Sequence, residues 1–249
     1  MSKSKNQNEV STFYDTDAAE YDERWRKRGG IKTAQSQGFI VDEITKDWRQ
    51  KNIIEVGCGT GRFTTLVAPK GRFTVQLDIA IRMLGVTRSK MLRVSQHFMG
   101  TNSSAYEMPF DKQVFDAAYS INVFNHLEKP IIALAEVNRI LKINGLFLVN
   151  FSNLYSYFWP IAAYINHGHK SVGRNVYSVW YTLKEMREIL HNAGFVIEKT
   201  MGNVYVPLYL DYPVIREMPI ALDAISRRSI LKWISPSVFF LCRKNKSFI

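Results

Sequence analysis

Three glycines at alternate positions, Gly57, Gly59 and Gly61, follow the apolar run Ile53-Ile54-Glu55-Val56 and precede Arg62-Phe63. Glycine lacks a Cβ, so its backbone can take positive φ and lie against a ligand, while the first N–H groups of a following helix point at that ligand. The chemistry on offer is a backbone cradle. A second strand, Phe73-Thr74-Val75-Gln76-Leu77-Asp78, ends in an acid 21 residues after Gly57. A carboxylate there can accept hydrogen bonds from both hydroxyls of a ribose, although an ordinary turn aspartate reads the same way. His126 is a candidate general base near neutral pH, with a structural or packing role as the alternative.

The glycine spacing discriminates among nucleotide sites. The dinucleotide fingerprint is G-x-G-x-x-G/A, whose third small residue lets helix and strand pack closely. Here the third glycine arrives one place early, and Arg62 stands where the small residue belongs. No Lys-Ser/Thr follows the turn, so a P-loop is excluded as well.

The elements that must position these groups can be read from periodicity. Residues 53–56 form a buried strand leading into the turn, and Phe63 to Val67 continue as a helix that Pro69 and Gly71 end. A basic helix is expected from Ile81 to about Ser95, and a fourth strand runs through Phe115 to Ser120. Pro130 to Lys142 form a helix with proline in its first turn, ended by Asn144-Gly145 before a strand from Leu146 to Phe151. Thr182, with Glu185 three residues later, makes a capping box for a helix to Asn192. Val196 to Lys199 and Ser237 to Lys244 are the last strands. Upstream, Tyr14, Tyr21 and Trp25 stand at helical spacing after a polar start, and Ala34 to Trp48 read as an amphipathic helix.

Several of these segments, taken together, resemble class I S-adenosylmethionine-dependent methyltransferases. The resemblance rests on E-x-G-x-G-x-G at 55–61, V-x-L-D-I-A-x-x-M-L at 75–84, and M-P-F at 108–110 with Phe115-Asp116. E-x-x-R-x-L-K-x-x-G at 136–145 completes it. It implies a Rossmann-like three-layer α/β/α fold whose seven-stranded, mostly parallel sheet has an antiparallel last strand. It implies S-adenosyl-L-methionine as cofactor, with S-adenosyl-L-homocysteine as product. Glu55 and the backbone of Gly57, Cys58, Gly59 and Gly61 would hold the amino-acid end of the donor. Asp78 and Ile79 would take the ribose, Ser104 and Ala105 the adenine, and Ser120 and Ile121 the methionine part. Ser104 replaces a frequent aspartate, so this acceptor carries no charge. F-Y-D-x-x-A-x-x-Y-D at 13–22 is similar to a segment that folds over the donor as a lid, which would bring Tyr14 and Tyr21 to the site; plain packing of these rings is the alternative. Asn122 and Tyr155 are expected on the substrate side, and Tyr21 joins His126 as a catalytic candidate. Because Ser-Ile-Asn-Val follows the fourth strand where amine-modifying nucleic-acid methyltransferases carry D/N-P-P-Y/F, nucleic acid is disfavoured as a partner.

Residues 1–9 are expected to be a disordered tail before a single domain, 10–249. In that domain residues 10–50 are lid helices and 51–152 the donor-binding core, while 153–180 and 203–233 are substrate-side insertions. The insertions mix aromatic residues with His167, His169, Lys170, Arg174, Arg227, Arg228 and Lys232, and can wrap an acceptor or form a small hydrophobic cap. Net charge is +11, with 21 Lys/Arg against 16 Asp/Glu up to residue 150 and 12 against 6 beyond it. The shorter part is therefore the more basic per residue, which favours anionic partners if it is more than a solubility feature. Two cysteines, Cys58 and Cys242, give neither a disulfide framework nor a metal spacing, and a cytoplasmic setting is the natural reading.

Three functions stay open. One is O- or N-methylation of a small-molecule acceptor, anionic or aromatic, by in-line displacement. Another is methylation of a lipid-linked or amphiphilic acceptor, with peripheral contact to an acidic membrane surface. The third is a donor-binding partner subunit without catalysis. The sequence leaves oligomeric state undetermined.

Overall fold

The structure, a computed structural model, describes residues 5–27, 30–94, 97–156, 170–173, 176–203, 225 and 227–245. Residues 157–169 and 204–224 of the two expected insertions, together with 174 and 175, lie outside the described residues.

A seven-stranded sheet carries the fold. Its strands are β1 (Asn52–Val56), β2 (Phe73–Asp78), β3 (Phe98–Asn102), β4 (Phe115–Ser120), β5 (Leu141–Ser152), β8 (Phe195–Asn203) and β9 (Ser237–Lys244). The spatial order is β3-β2-β1-β4-β5-β9-β8. The strands from β3 to β5 pair in parallel, and β9, the last in the chain, is antiparallel to both β5 and β8. This is the expected Rossmann-like architecture. A separate antiparallel pair, β6 (Lys170–Gly173) and β7 (Val176–Val179), stands outside the sheet.

Alternation along the strands assigns the faces. Ile54, Val56, Ala118, Phe147 and Val149 pack under α6 (Pro130–Ile140) and α7 (Leu183–Asn192). Ile53, Ala117, Tyr119 and Leu148 face α3 (Gly30–Thr45) and α4 (Thr64–Val67), with Ile40, Val41, Ile44 and Trp48 closing that layer. Glu55 shares the parity of Ile53, so its carboxylate points among the second set. The chain runs outward from β1 to β3 and then returns to place β4 on the other side of β1. That reversal makes the β1/β4 boundary the switch point, where open α/β sheets hold ligands beyond the carboxyl ends of their strands.

Some boundaries differ from expectation. Helix α1 (Lys5–Asp17) begins inside the segment expected to be a disordered tail, and α2 (Tyr21–Lys27) follows it. Helix α3 opens at Gly30, four residues before the expected Ala34, and α5 (Ile81–Met91) is shorter than the basic run. Strand β5 starts at Leu141, five residues early, because Asn144 takes φ +62 and its arm joins the ladder through a register shift against β4. The capping box forms as read: Thr182 accepts from the backbone N–H of Glu185, whose side chain accepts from the Thr182 N–H.

Candidate active site

The glycine turn leaves β1 with Gly57, Gly59 and Gly61 all in the left-handed region, at φ +76, +53 and +76. The N–H groups of Gly57 and Cys58 both donate to the Leu77 carbonyl on β2, at 2.7 and 3.1 Å. A Cβ on Gly57 would stand 2.4 Å from Val123 Cγ2, and one on Gly61 would stand 2.9 Å from Thr87 Cγ2 on α5. At these two positions the turn tolerates only glycine. A Cβ on Gly59 would meet no atom within 4 Å, so this backbone borders open space.

That space is one cavity. Its floor is Glu55 and the backbone of Gly57 to Thr60; one wall carries Asp78, Ile79, Ser104 and Ala105. The opposite wall carries Ile121, Asn122 and His126, and Tyr14 and Tyr21 roof it. Thirteen of the residues singled out in the sequence thus meet around a single cavity, drawn from segments up to 112 positions apart. Three stand elsewhere. Ser120 is fully buried and donates to the Val56 carbonyl at 2.7 Å, Gly61 packs on α5 behind the turn, and Tyr155 is 68% exposed. Parity explains Ser120, because consecutive strand residues face opposite sides and Tyr119 already faces α3. Ile121 takes the place on the wall that was expected for Ser120.

Buried carboxyls dominate the electrostatics. Burial pushes the Glu55 carboxyl up to about 8, with hydrogen bonds from Thr64 and Tyr119 opposing and the charge of Asp78 adding to the rise. Both hydroxyls donate to the same Glu55 oxygen, Oε2, that of Tyr119 at 2.8 Å. Burial also raises Asp78, against hydrogen bonds from the Ala80 and Gly59 N–H groups at 2.9 and 2.7 Å. Both Asp78 oxygens accept backbone N–H groups, with the Ile79 N–H also favouring the carboxylate, and a carboxylate's roughly four acceptor sites leave capacity for a ribose hydroxyl. Cys58 is held as the thiol by burial and by the neighbouring carboxyls, so it is no nucleophile. Ser104 Oγ accepts from the Tyr106 N–H at 3.1 Å. His126 ends a short 3-10 turn, Phe124–His126, with Nε2 3.1 Å from the Asn125 amide nitrogen.

Asn122 is committed to the framework. It sits at φ +61, a conformation asparagine tolerates better than most residues, and its amide exchanges hydrogen bonds with Gln37 at 3.0 and 3.2 Å. Asn150 accepts from its N–H at 2.7 Å and donates to its Oδ1 at 2.8 Å. Asn122 lines the cavity, and its side chain also ties α3 to the sheet.

The roof is fastened by polar contacts that composition alone does not reveal. Ser11 donates to the Ile79 carbonyl at 3.1 Å, and Asp15 accepts from the Arg82 N–H at 2.7 Å, capping the first turn of α5 from another helix. Asp22 accepts from Thr60 Oγ1 at 2.6 Å and pairs with Lys90, which also donates to the Thr60 carbonyl at 2.7 Å. Burial works against the Asp22 carboxylate, yet the hydrogen bonds from Lys90 and Thr60 hold it below the usual range. Tyr14 and Tyr21 meet edge to face at 6.2 Å, and the Arg62 guanidinium lies 5.8 Å over Tyr21. Arg62, Asp22, Lys90 and Tyr106 were not anticipated as part of the site. Arg62 had a signal as the residue that breaks the dinucleotide fingerprint, and Asp22 as the last residue of the 13–22 motif. Among the described residues no group of three His, Cys, Asp or Glu side chains could hold a metal ion, and no helix is long and apolar enough to cross a membrane.

A doubly wound sheet, a positive-φ glycine turn at its switch point and a ribose-competent carboxylate on the next strand define a nucleoside-donor site. Comparison with known proteins names the donor. Residues 54–149 match a family described as "Methyltransferase domain". An uncharacterised protein of Methanocaldococcus jannaschii is 24% identical over 257 residues, covering 96% of this chain and 92% of its own length. A bifunctional biotin-biosynthesis protein of Saccharophagus degradans is 27% identical over 221 residues, which is 86% of this chain but 38% of that protein. The crystal structure of an S-adenosylmethionine-dependent methyltransferase from Thermotoga maritima superposes with a TM-score of 0.68 at 18% identity. The match covers 95% of this chain and 99% of the other. Residues 54–149 thus carry a methyltransferase domain, and the chain has the fold of the S-adenosylmethionine-dependent methyltransferases. The cavity fits the donor, which supplies an activated methyl group on a sulfonium when bound.

Proposed function

We propose that this methyltransferase modifies a small-molecule acceptor, on oxygen or nitrogen, inside the roofed cavity. The observation that carries the reading is the roof itself: Tyr14 and Tyr21 close over the glycine turn, held by Asp15 and Asp22. A chamber of this kind admits a compact acceptor more readily than a folded macromolecule. Asp78 takes the ribose hydroxyls, Ser104 and Ala105 border the adenine, and Glu55 with the Gly57–Gly59 backbone holds the amino-acid end. Proximity then supplies much of the rate, since acceptor and methyl carbon need only be held in line. His126 serves as base where the acceptor must lose a proton, and Tyr21 orients the acceptor from above.

The test is incubation of the protein with methyl-labelled donor and a cell extract, followed by separation into aqueous small-molecule, lipid and macromolecular fractions. Label in the aqueous fraction, reduced by Tyr21→Ala, is the expected result. Label confined to macromolecules would refute the small-molecule reading, and label in no fraction would favour a donor-binding subunit.

A further inference from the structure

The sequence around the 3-10 turn Ile230–Ile234 contains three cations, Arg227, Arg228 and Lys232, and no acid from 225 to 234. It also exposes apolar side chains that a soluble turn would replace with polar ones. Ile230 is 79% exposed, Ile225 63%, Ile234 44% and Leu231 38%. Single exposed apolar residues are ordinary, but four within ten positions concentrate exposed apolar surface on one short segment. The exposure does not come from a loose segment. Asn153 donates to the carbonyls of Trp233 and Ser235 at 2.8 and 3.0 Å, and Ser229 caps the turn by accepting from the Leu231 N–H. A Cβ on Gly202 of β8 would stand 2.5 Å from Lys232 Cα, so the turn lies directly on the strand.

Trp233 sits between two cations, with Lys232 Nζ 4.8 Å and the Arg187 guanidinium 5.0 Å from its ring. An amphipathic ring flanked by cations and isoleucines suits the boundary between lipid headgroups and acyl chains. Topology fixes where this boundary would lie. The turn leads directly into β9, whose first residue, Ser237, pairs with Ser152 at the carboxyl end of β5. The patch therefore stands at the same end of the sheet as the cavity.

We propose that the turn at 230–234 is a docking surface for an anionic lipid membrane, seating the protein with the cavity end of its sheet toward the bilayer. Arg228 is paired with Glu43 and Arg227 lies over the Phe39 ring, so Lys232 and Arg187 beside Trp233 supply the attraction to anionic headgroups, and Ile230, Leu231 and Ile234 enter the interface. The inference goes beyond the proposed function and holds whichever acceptor is methylated.

The experiment is flotation of the full-length protein with phosphatidylcholine vesicles made with or without phosphatidylglycerol. Co-flotation with the anionic vesicles alone, lost as salt is raised, is expected. The double substitution I230E/I234E should weaken partition at least about tenfold, and K232E about fivefold. Calorimetric binding of S-adenosylmethionine should be unchanged in both, which separates loss of docking from loss of fold or of donor binding. If I230E/I234E folds poorly, I230S/I234S replaces it and should weaken partition at least about fivefold. The proposal is overturned if the native protein stays out of the anionic vesicle layer, or if the double variant floats like the native protein. A sedimenting dimer that the same substitutions dissociate, without any vesicle binding, would assign the patch to a second copy of the chain instead.

Discussion

Replacing Glu55 with Gln should remove the pH dependence that this one buried carboxyl imposes on stability. The Glu55 value is raised from 4.5 to about 8. That difference of roughly 3.5 units corresponds to about 5 kcal/mol at 1.36 kcal/mol per unit. The sign follows from proton counting. Between pH 4.5 and 8 the folded state keeps the Glu55 proton and the unfolded chain has lost it, so stability falls as pH rises through this window and levels above it. Asp22, Glu43, Asp116 and Glu136 are held below their usual values, so the stability they add is lost only below about pH 4.5, outside that window. Asp78 is raised by burial and contributes in the same sense as Glu55, but it is present in both proteins. Gln is isosteric, and because Thr64 and Tyr119 both donate to Oε2, its carbonyl can accept from both. Urea unfolding of the two proteins from pH 5 to 8.5 measures the difference. The native protein should lose about 4 kcal/mol more than Glu55→Gln across the range. Parallel curves would refute the assignment of Glu55 as a carboxyl protonated at neutral pH.

Three further outcomes follow from the same geometry. Affinity for the cationic donor should rise from pH 6 to pH 8 in the native protein and lose most of that rise in Glu55→Gln, because positive charge beside Glu55 favours its ionised form; calorimetric titration across pH reads this directly. Asp22→Asn and Lys90→Met should each speed donor release about two- to fivefold in stopped-flow measurements, with the double variant no faster than either single one, since both break one half-exposed clasp. Gly57→Ala should cost about 2 to 4 kcal/mol in chemical unfolding, from a left-handed φ and the collision with Val123. Adding Val123→Ala should recover only the steric share, leaving about 1 to 2 kcal/mol of backbone strain.

What the sequence made readable is what local pattern encodes. The three glycines and Asp78 announce themselves because a turn at positive φ and an acid at a strand end each carry a residue-type signature. The Thr182 capping box is visible because both of its partners lie within four residues. The roof was only half readable. Tyr14 and Tyr21 stand at helical spacing, but the contacts that fasten them join Ser11 to Ile79 and Asp15 to Arg82, 68 and 67 residues apart. The polar composition before Val10 reads as a tail because helix α1 depends on such remote partners. Ser120, the last residue of β4, is turned away from the cavity by strand parity and bonds the Val56 carbonyl. Asn122 lines the cavity, and its amide is also engaged by Gln37 and Asn150, 85 and 28 positions away. No local signal reports such a network.

Calorimetric titration of S-adenosylmethionine and S-adenosylhomocysteine into the native protein and Asp78→Ala tests the account at its centre. One molecule of either compound should bind per native chain, and Asp78→Ala, with its circular dichroism unchanged, should weaken both at least about tenfold through loss of charge-assisted hydrogen bonds to the ribose. No binding to the native protein would contradict the donor site, and an affinity within about twofold in Asp78→Ala would contradict the role given to Asp78.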